Sequence, residues 1–187
     1  MNDVLELLKT RRSTPPGFLA APGPDAGQLA SLLEIAARVP DHGKLAPWRF
    51  IVFEGEARER AADILAELTR ADRPQATAEE IANERKRLTA APLVVAVVSK
   101  AAQHPKIPVS EQILSSAACC QNLLIAAQAM GFGAAWLTNW FAFDRRFLDR
   151  IGLAAHETIT GFVHIGTRTQ AIEERPRPAL ADIVTRF

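Results

Sequence analysis

The amino-acid sequence predicts a layered domain of the α+β or α/β class. Helical patterns come first along the chain, and strands separated by helices follow, which is the order typical of layered domains. The chain has 187 residues, of which 48% are hydrophobic. That length suits one domain with a sizeable core, because domains commonly contain about 100–200 residues. We therefore expect a single domain over residues 1–187.

The first half of the chain contains mostly helical patterns. A short helix is predicted over 3–9, and the proline–glycine clusters within 15–24 then impose an irregular connection. Asp25 is a typical helix N-cap. The helix that it opens is expected to end near Pro40, because the residue before a proline disfavours the helical region. The further elements predicted here are a strand over 49–54, a helix from 56 to about 70 and a charged surface helix over 78–90.

The second half is more apolar. The run 92–99 is continuously β-branched, which is typical of a strand that is covered on both faces. Residues 112–143 include no charged side chain, and a run of this length is sufficient to cross a bilayer. Polar residues and a Gly131-Phe132-Gly133 break favour a buried helix over 111–131 and a core strand over 133–137 instead. The remaining predictions are a short helix over 144–151, a strand over 158–166 and a lone tail strand over 182–187, whose partner edge could belong to a second subunit.

Composition and charge exclude several classes of function. Lys plus Arg number 22 and Asp plus Glu number 21, so nothing indicates a nucleic-acid partner or an anionic membrane surface. Cys119 and Cys120 are adjacent, which is a poor arrangement for a disulfide, and no metal-ligand spacing surrounds them or the four scattered histidines. The opening residues 1–6 are acidic where a signal peptide starts basic. We therefore expect a cytoplasmic protein without a metal centre.

Familiar nucleotide-binding motifs are also absent. The sequence has no G-x-x-x-x-G-K-[ST] loop. Gly131 and Gly133 form a G-x-G pair, but this pair follows a helix, whereas the dinucleotide fingerprint follows a strand. The sequence therefore does not indicate either of these two nucleotide-binding sites.

The triplet Arg11-Arg12-Ser13 is a candidate phosphate-binding site. Two guanidinium groups and a hydroxyl at a helix end can hold a phosphate, because arginine presents a rigid fork of donors. The alternative is a solvated basic patch that offsets the negative end of the helix dipole. The residues alone leave both interpretations open.

Further candidates lie at loop and strand ends. Arg38 closes the second helix and His42 follows in the next loop, where each is either a ligand contact or ordinary surface. Trp136 and Trp140 flank small polar residues after a strand, and such rings either stack on a planar ligand or fill the core. Arg168, at the end of the last strand, is a third candidate contact to phosphate or else part of a surface turn.

The order of these features resembles the FMN-binding nitroreductase family over essentially the whole chain. The resemblance rests on Arg-Arg-Ser after a short helix, Arg-Val-Pro-Asp-His before Ala-Pro-Trp-Arg-Phe, and the Gly-Phe-Gly turn with the Trp136 strand end and Gly166-Thr167. It is strongest with the short, minimal branch. The fold that it implies is a three-layer α/β/α sandwich with a mostly antiparallel sheet, in which a C-terminal strand could be donated to the partner subunit.

The resemblance also implies the chemistry. Members bind FMN at a homodimer interface and pass a hydride from NADH or NADPH through flavin N5 to a small acceptor such as a nitro compound or a quinone, with no catalytic side chain of their own. The cofactor-binding residues that it implies, with Arg168 added from its position, are Arg11, Arg12, Ser13, Arg38, His42, Trp136, Leu137, Thr138 and Arg168. A stretch implied for the nicotinamide nucleotide comprises Ala126, Ala127, Gln128, Ala129, Met130 and Gly131.

The chain departs from the family pattern in two ways. Lys44 and Ala46 stand where the broader family has Asn and Gln, so those flavin contacts are not expected here. The chain also has little room for the helical insertion of larger members, which implies an open pocket or one that the partner closes. Two alternatives stay open: a same-fold flavoenzyme for flavin fragmentation or reductive dehalogenation, and a flavin-binding or redox-sensing module without turnover.

Overall fold

A computed structural model describes residues 3–187. Met1 and Asn2 lie outside the described residues, and they belong to the stretch 1–6 that was compared with a signal peptide. Five strands form one sheet, and helices cover both of its faces. The strands are β1 (Leu19–Ala20), β2 (Trp48–Glu54), β3 (Leu93–Ser99), β4 (Gly133–Leu137) and β5 (Thr158–Arg168). The helices are α1 (Asp3–Thr10), α2 (Ala26–Ala36), α3 (Glu56–Asp72), α4 (Ala78–Thr89), α5 (Val109–Ala129), α6 (Arg145–Arg150) and α7 (Leu180–Ile183).

Strand β5 organises the sheet. It pairs with β3 and with β4, its last two residues pair with β1, and β2 pairs with β3 at the outer edge. Every pairing is antiparallel, as the mostly antiparallel sheet implied by the resemblance requires. Trp136 lies opposite Val163 and Leu137 lies opposite Phe162, so these two neighbours point to opposite faces of the sheet.

Two hydrophobic cores lie on the two sides of this sheet. Alternate residues of β3 divide between them, because successive side chains of a strand point to opposite faces. Val94, Ala96 and Val98 pack with α3, α4 and α6, while Val95 and Val97 pack with α2 and α5. All seven residues of β3 are buried. The prediction of a strand covered on both faces is therefore confirmed, and so is the three-layer sandwich.

The uncharged run forms a buried helix and a core strand, as predicted. Helix α5 begins two residues earlier than expected, after Pro108, and ends at Ala129, before Gly131 with a φ of 87°. A positive φ at this position is the usual glycine termination of a helix. Within residues 3–187, no helix is long and apolar enough to span a membrane.

Local signals explain the ends of the other helices. Asp25 caps α2 by accepting a hydrogen bond from the Gln28 amide, and Gln28 returns one to Asp25. Helix α2 ends at Ala36, somewhat before Pro40. The Ile35 carbonyl oxygen accepts from the Arg38 amide, and Asn122 of α5 donates to the carbonyl oxygens of Ile35 and Arg38. These bonds fix the exit of α2 toward the 41–47 loop.

Two predictions of secondary structure need correction. The sequence predicts a strand over 182–187 in the tail, but the structure has the short helix α7 over Leu180–Ile183. Without a neighbouring strand, this segment has no ladder of hydrogen bonds to hold it extended. Strand β1 was not expected, because its two residues, Leu19 and Ala20, lie within a proline-rich connection and depend on the end of β5 for pairing.

Candidate cofactor site

The segment Arg11–Thr14 is fixed by its main chain at three points. The Arg11 amide donates to the Leu7 carbonyl oxygen at 2.9 Å, which continues α1 by one residue. The Gln128 side chain donates to the Arg12 carbonyl oxygen at 2.7 Å, and the Thr14 amide donates to the Ala134 carbonyl oxygen of β4 at 2.9 Å. Helix α1, helix α5 and strand β4 therefore hold this segment in one conformation.

The guanidinium groups of this segment leave buried donors without hydrogen bonds. Arg11 Nη1 and Arg12 Nη1 are both buried without a hydrogen bond. The Arg12 side chain is 17% exposed and lies 3.7 Å from a Glu174 carboxylate oxygen, which is too far for a hydrogen bond. A buried donor without a partner is costly, more so when it is charged. The donors that this segment leaves unsatisfied fit an anion such as a phosphate. This favours the interpretation as a phosphate-binding site over the interpretation as a solvated basic patch.

A cavity of about 350 Å³ opens on the α4 side of the sheet, beside the loop that follows this segment. Pro16 and Gly17 form one wall, and α4 forms another. Its apolar surface comes from Leu137, Phe141 and Phe162, and its polar surface from Asn83, Lys86, Arg87, Thr138, Asn139 and His164. The volume falls within the range of small-molecule sites, about 300–1,000 Å³. Apolar walls with a few polar groups are also typical of such sites.

Positive charge borders this cavity on the α4 side. Lys86 lines it without a carboxylate partner within ion-pair distance in the described chain. Arg87 lines it as well, but its guanidinium donates to Glu84 at 2.6 Å. Burial and the Arg87 and Trp140 hydrogen bonds act on Glu84 in opposite directions, and the net effect lowers the pKa of that carboxyl. Glu84 is therefore charged at neutral pH and offsets Arg87, which leaves Lys86 as the main cation facing the cavity.

The structure separates the residues predicted at the end of β4. Leu137 and Thr138 line the cavity. Trp136 lies on the opposite face, where its Nε1 donates to the Thr160 carbonyl oxygen at 3.2 Å. Its indole covers Gly161 so closely that a Cβ there would come within 1.9 Å of Nε1. The Trp136 ring therefore packs on the α5 side and does not line this cavity, and its assignment to the cofactor site stays a prediction.

Trp140 is also committed to packing. Its Nε1 donates to Glu84 at 2.9 Å, and its ring meets Phe141 edge to face, with centroids 5.8 Å apart. The indole joins the α3–α4 core, so the ordinary-burial interpretation holds for this residue too.

Arg38 and His42 lie away from the cavity of their own chain. His42 is exposed, and its Nδ1 lies 2.7 Å from the Glu111 carboxylate. His42 lines a surface groove with Pro40, Leu114 and Ser115. The Asp41 carboxylate shapes the loop by accepting hydrogen bonds from the Leu45 and Ala46 amides. One chain therefore does not bring Arg38 and His42 together with Leu137 and Thr138.

The positions that depart from the family pattern have an unusual backbone. Lys44 and Ala46 have φ values of 55° and 44°, and Gly43 between His42 and Lys44 has 72°. Non-glycine residues rarely adopt this left-handed region. The Asp41 hydrogen bonds hold the loop in this conformation.

The stretch 126–131 passes from the core to the surface. Ala126 and Ala127 are 3% and 0% exposed and belong to the core on the α5 side. Gln128 is half-buried and donates to the Arg12 carbonyl oxygen. Ala129, Met130 and Gly131 reach the surface at the end of α5, and the assignment of this stretch to the nucleotide stays a prediction.

The end of β5 lies near the tail. Arg168 is exposed and pairs through its main chain with Leu19, and it does not line the cavity. The proximity of Glu174 to Arg12 places the tail beside the Arg11–Thr14 segment. Arg175 and Arg177 flank Glu174 in the sequence, and Arg177 donates to it at 2.9 Å.

Several residues of this site were missed at the level of sequence. Asn83 and Lys86 belong to a helix whose charge pattern is typical of a solvated surface, and His164 is embedded in an apolar strand. Only the fold shows that they face one cavity. Among residues 3–187, no group of three or more His, Cys, Asp or Glu side chains is arranged to hold a metal ion.

Comparisons with known proteins agree with this architecture. The model of the family described as "Nitroreductase family" matches residues 8–167. The Escherichia coli (strain K12) protein named "Putative NAD(P)H nitroreductase YdjA" is 35% identical over 167 residues, which cover 88% of each chain. A solved nitroreductase-like family protein from Bacillus cereus superposes with a TM-score of 0.84 at 24% identity, over 100% of this chain and 97% of the other.

A second solved structure is described as a nitroreductase with bound FMN, from Bacteroides fragilis. It superposes with a TM-score of 0.71 at 20% identity and covers 100% of both chains. At these identities the two solved structures establish the fold, whereas the family match and the E. coli relative establish the relationship. The chain therefore belongs to the nitroreductase family of oxidoreductases.

Proposed function

We propose that residues 1–187 form one FMN-binding domain that acts, as a homodimer, as an NAD(P)H oxidoreductase. Its acceptors are small molecules such as nitro compounds and quinones, reduced by ping-pong kinetics. The observation that carries the proposal is the pair of buried guanidinium nitrogens, on Arg11 and Arg12, that make no hydrogen bond within the described chain. FMN, when bound, supplies the hydride chemistry between the nicotinamide and the acceptor.

The chain itself contributes binding and electrostatics. Arg11 and Arg12 donate to the phosphate, and Ser13 adds a hydroxyl from the same fixed segment. Leu137 and Phe162 provide an apolar wall for a planar ring. Lys86 places a positive charge at the cavity, where it stabilises negative charge that accumulates on the occupant. None of these side chains needs to exchange a proton for the reaction to proceed.

The dimer is supported by apolar surface on the α5 side. Leu5 and Leu8 of α1 are 53% and 46% exposed, and Ile113 and Leu114 of α5 are 46% and 68% exposed. Helix α1 packs against α5, so two neighbouring helices expose large apolar side chains. Exposed apolar surface commonly marks a protein interface. A second copy bound there accounts for Arg38 and His42, which would complete the cofactor site of the partner.

The test is the visible absorption spectrum of the purified protein, recorded with added FMN and again after anaerobic NADH or NADPH. We expect flavin absorption that bleaches with a nicotinamide and recovers with a nitroaromatic or a quinone. A protein that stays colourless in excess FMN would refute the proposal. Flavin that binds but never bleaches would leave only a binding module.

A further inference from the structure

His164 is a polar side chain at a core position of the cavity wall. It lies in the middle of β5, opposite Val94 of β3 and Ala135 of β4, and it is 2% exposed. Phe162, two residues earlier, lies on the same face of the strand and in the same wall. An apolar side chain would serve the packing here equally well.

The imidazole lacks a hydrogen-bond partner within the protein. Its Nδ1 is buried and makes no hydrogen bond, although buried polar atoms are nearly always paired. The groups that face His164 from neighbouring elements do not provide one. Those of β3 and β4 are apolar, and those of α4 are the donors Lys86 and Arg87 and the amide Asn83. The side chain lines the cavity, and an occupant there is what remains to supply a partner.

The protonation state defines what His164 can recognise. Burial lowers the pKa of its imidazole to about 4. The α4 carboxylate Glu84 is already bonded to Arg87. The ring is neutral at pH 7, with one nitrogen that donates and one that accepts. This pairing matches a heterocycle that carries ring N–H groups and carbonyl oxygens.

We propose that His164 is a ring-contacting residue of the cofactor site, a neutral hydrogen-bonding group by which the cavity recognises the nitrogen-containing ring of its occupant. The inference rests on the proposed function, since the ring concerned is that of FMN. It assigns a recognition role to a side chain that packing alone does not require. Replacing it by an apolar side chain of similar volume should weaken FMN binding without harming the empty protein.

The first experiment uses the wild-type protein labelled with ¹⁵N-histidine and titrated with FMN. The chain has four histidines, and the His164→Gln variant identifies the signals of His164. We expect the His164 ring nitrogens to shift on addition of FMN. If FMN binds, as judged by its fluorescence, and these signals stay unchanged, the inference is overturned while the proposed function stands. If the wild-type protein binds no FMN, the proposed function itself fails.

The second experiment compares FMN affinity and unfolding temperature among variants. We expect His164→Leu to lower FMN affinity about 10-fold, or ~1.4 kcal/mol, and His164→Gln to stay within about 3-fold of wild type. His156→Leu, at an exposed turn, is the matched control and should bind as wild type does. The FMN-free His164→Leu protein should unfold no earlier than wild type, because an unpaired polar group has been removed. Equal FMN affinity of His164→Leu and wild type would overturn the inference. If the variant does not fold, the FMN titration of the labelled wild-type protein tests the inference instead.

Discussion

The side-chain amide of Gln128 donates a hydrogen bond of 2.7 Å to the main-chain carbonyl oxygen of Arg12. It joins the last turn of α5 to the segment Arg11–Thr14, whose neighbouring contacts are to α1 and β4. The guanidinium groups that face the proposed phosphate thus depend on a glutamine 116 residues away in sequence. Binding groups that are held in place before the ligand arrives lose less entropy when they bind it.

Gln128→Leu tests this positioning role. The substitution keeps an uncharged side chain but removes the donor, so the Arg12 main chain loses this hydrogen bond while both arginines remain. We expect FMN affinity to fall about 3- to 10-fold, equivalent to roughly 0.5–1.5 kcal/mol for one hydrogen bond. Fluorescence titration measures it, and Gln121→Leu on the same helix is the control. Equal affinity of the Gln128 variant and wild type would show that the segment is fixed without this bond.

Arg11→Ala tests the phosphate contact itself. Loss of a charge-assisted hydrogen bond should weaken FMN binding by about 1.5–3 kcal/mol. The matched control is Arg60→Ala, an arginine of α3 whose side chain is 70% exposed and lies 3.6 Å from Glu56. It should leave FMN affinity unchanged. If Arg11→Ala behaves as Arg60→Ala does, Arg11 is an ordinary surface cation and the phosphate must be held elsewhere.

The sequence predicted most elements because their patterns are local. The β-branched run of β3, the Asp25 cap and the glycine after α5 each carry their own physical signal. The side of the sheet on which the Trp136 ring lies is not a local property. Neighbours in a strand point to opposite faces, and which face meets the cavity depends on the pairing of β4 with β5. That register is a property of the sheet, so the sequence alone could not distinguish Trp136 from Leu137.

The polar residues of the cavity show the same limit. Lys86 belongs to a helix in which many positions are charged, and its neighbours Arg85 and Arg87 both pair with carboxylates. Nothing in the sequence distinguishes Lys86, which lines the cavity without a carboxylate partner in the described chain, from these two paired arginines. Asn83 and His164 come from different elements that only the folded sheet brings to one wall.

The pair Arg49–Glu157 should govern stability in acid. Arg49 donates to both Glu157 oxygens, at 2.8 and 2.7 Å, and Glu157 is 6% exposed. The pKa of Glu157 is lowered to about 2, and the Arg49 hydrogen bonds are the largest cause. A carboxyl whose folded pKa is depressed adds stability above its unfolded pKa, about 4.3, and that stability is lost as the pH falls toward 2.

Chemical unfolding of Glu157→Gln as a function of pH measures this contribution. At pH 7 we expect the free energy of unfolding to fall by about 2 kcal/mol, allowing for the partial exposure of Arg49. The difference from wild type should shrink between pH 4.3 and 2. Asp149→Asn, in an exposed pair with Arg145, should cost less than about 1 kcal/mol. A difference for Glu157→Gln that does not change with pH would mean that lost packing, and not charge, causes the effect.

Leu114→Glu tests whether the apolar face of α5 is the dimer interface and whether the cofactor site needs it. Leu114 is 68% exposed and lies in the groove beside His42, so a carboxylate there would be buried without a partner in a dimer, at a cost of several kcal/mol. We expect sedimentation to show a monomer where wild type is a dimer. FMN affinity should fall in parallel, because Arg38 and His42 would no longer reach the partner's site. Phe143→Glu, equally exposed at 74% but after β4, should stay dimeric. A monomer of Leu114→Glu that retains full FMN affinity would show that each chain holds its cofactor alone, and would remove Arg38 and His42 from the site.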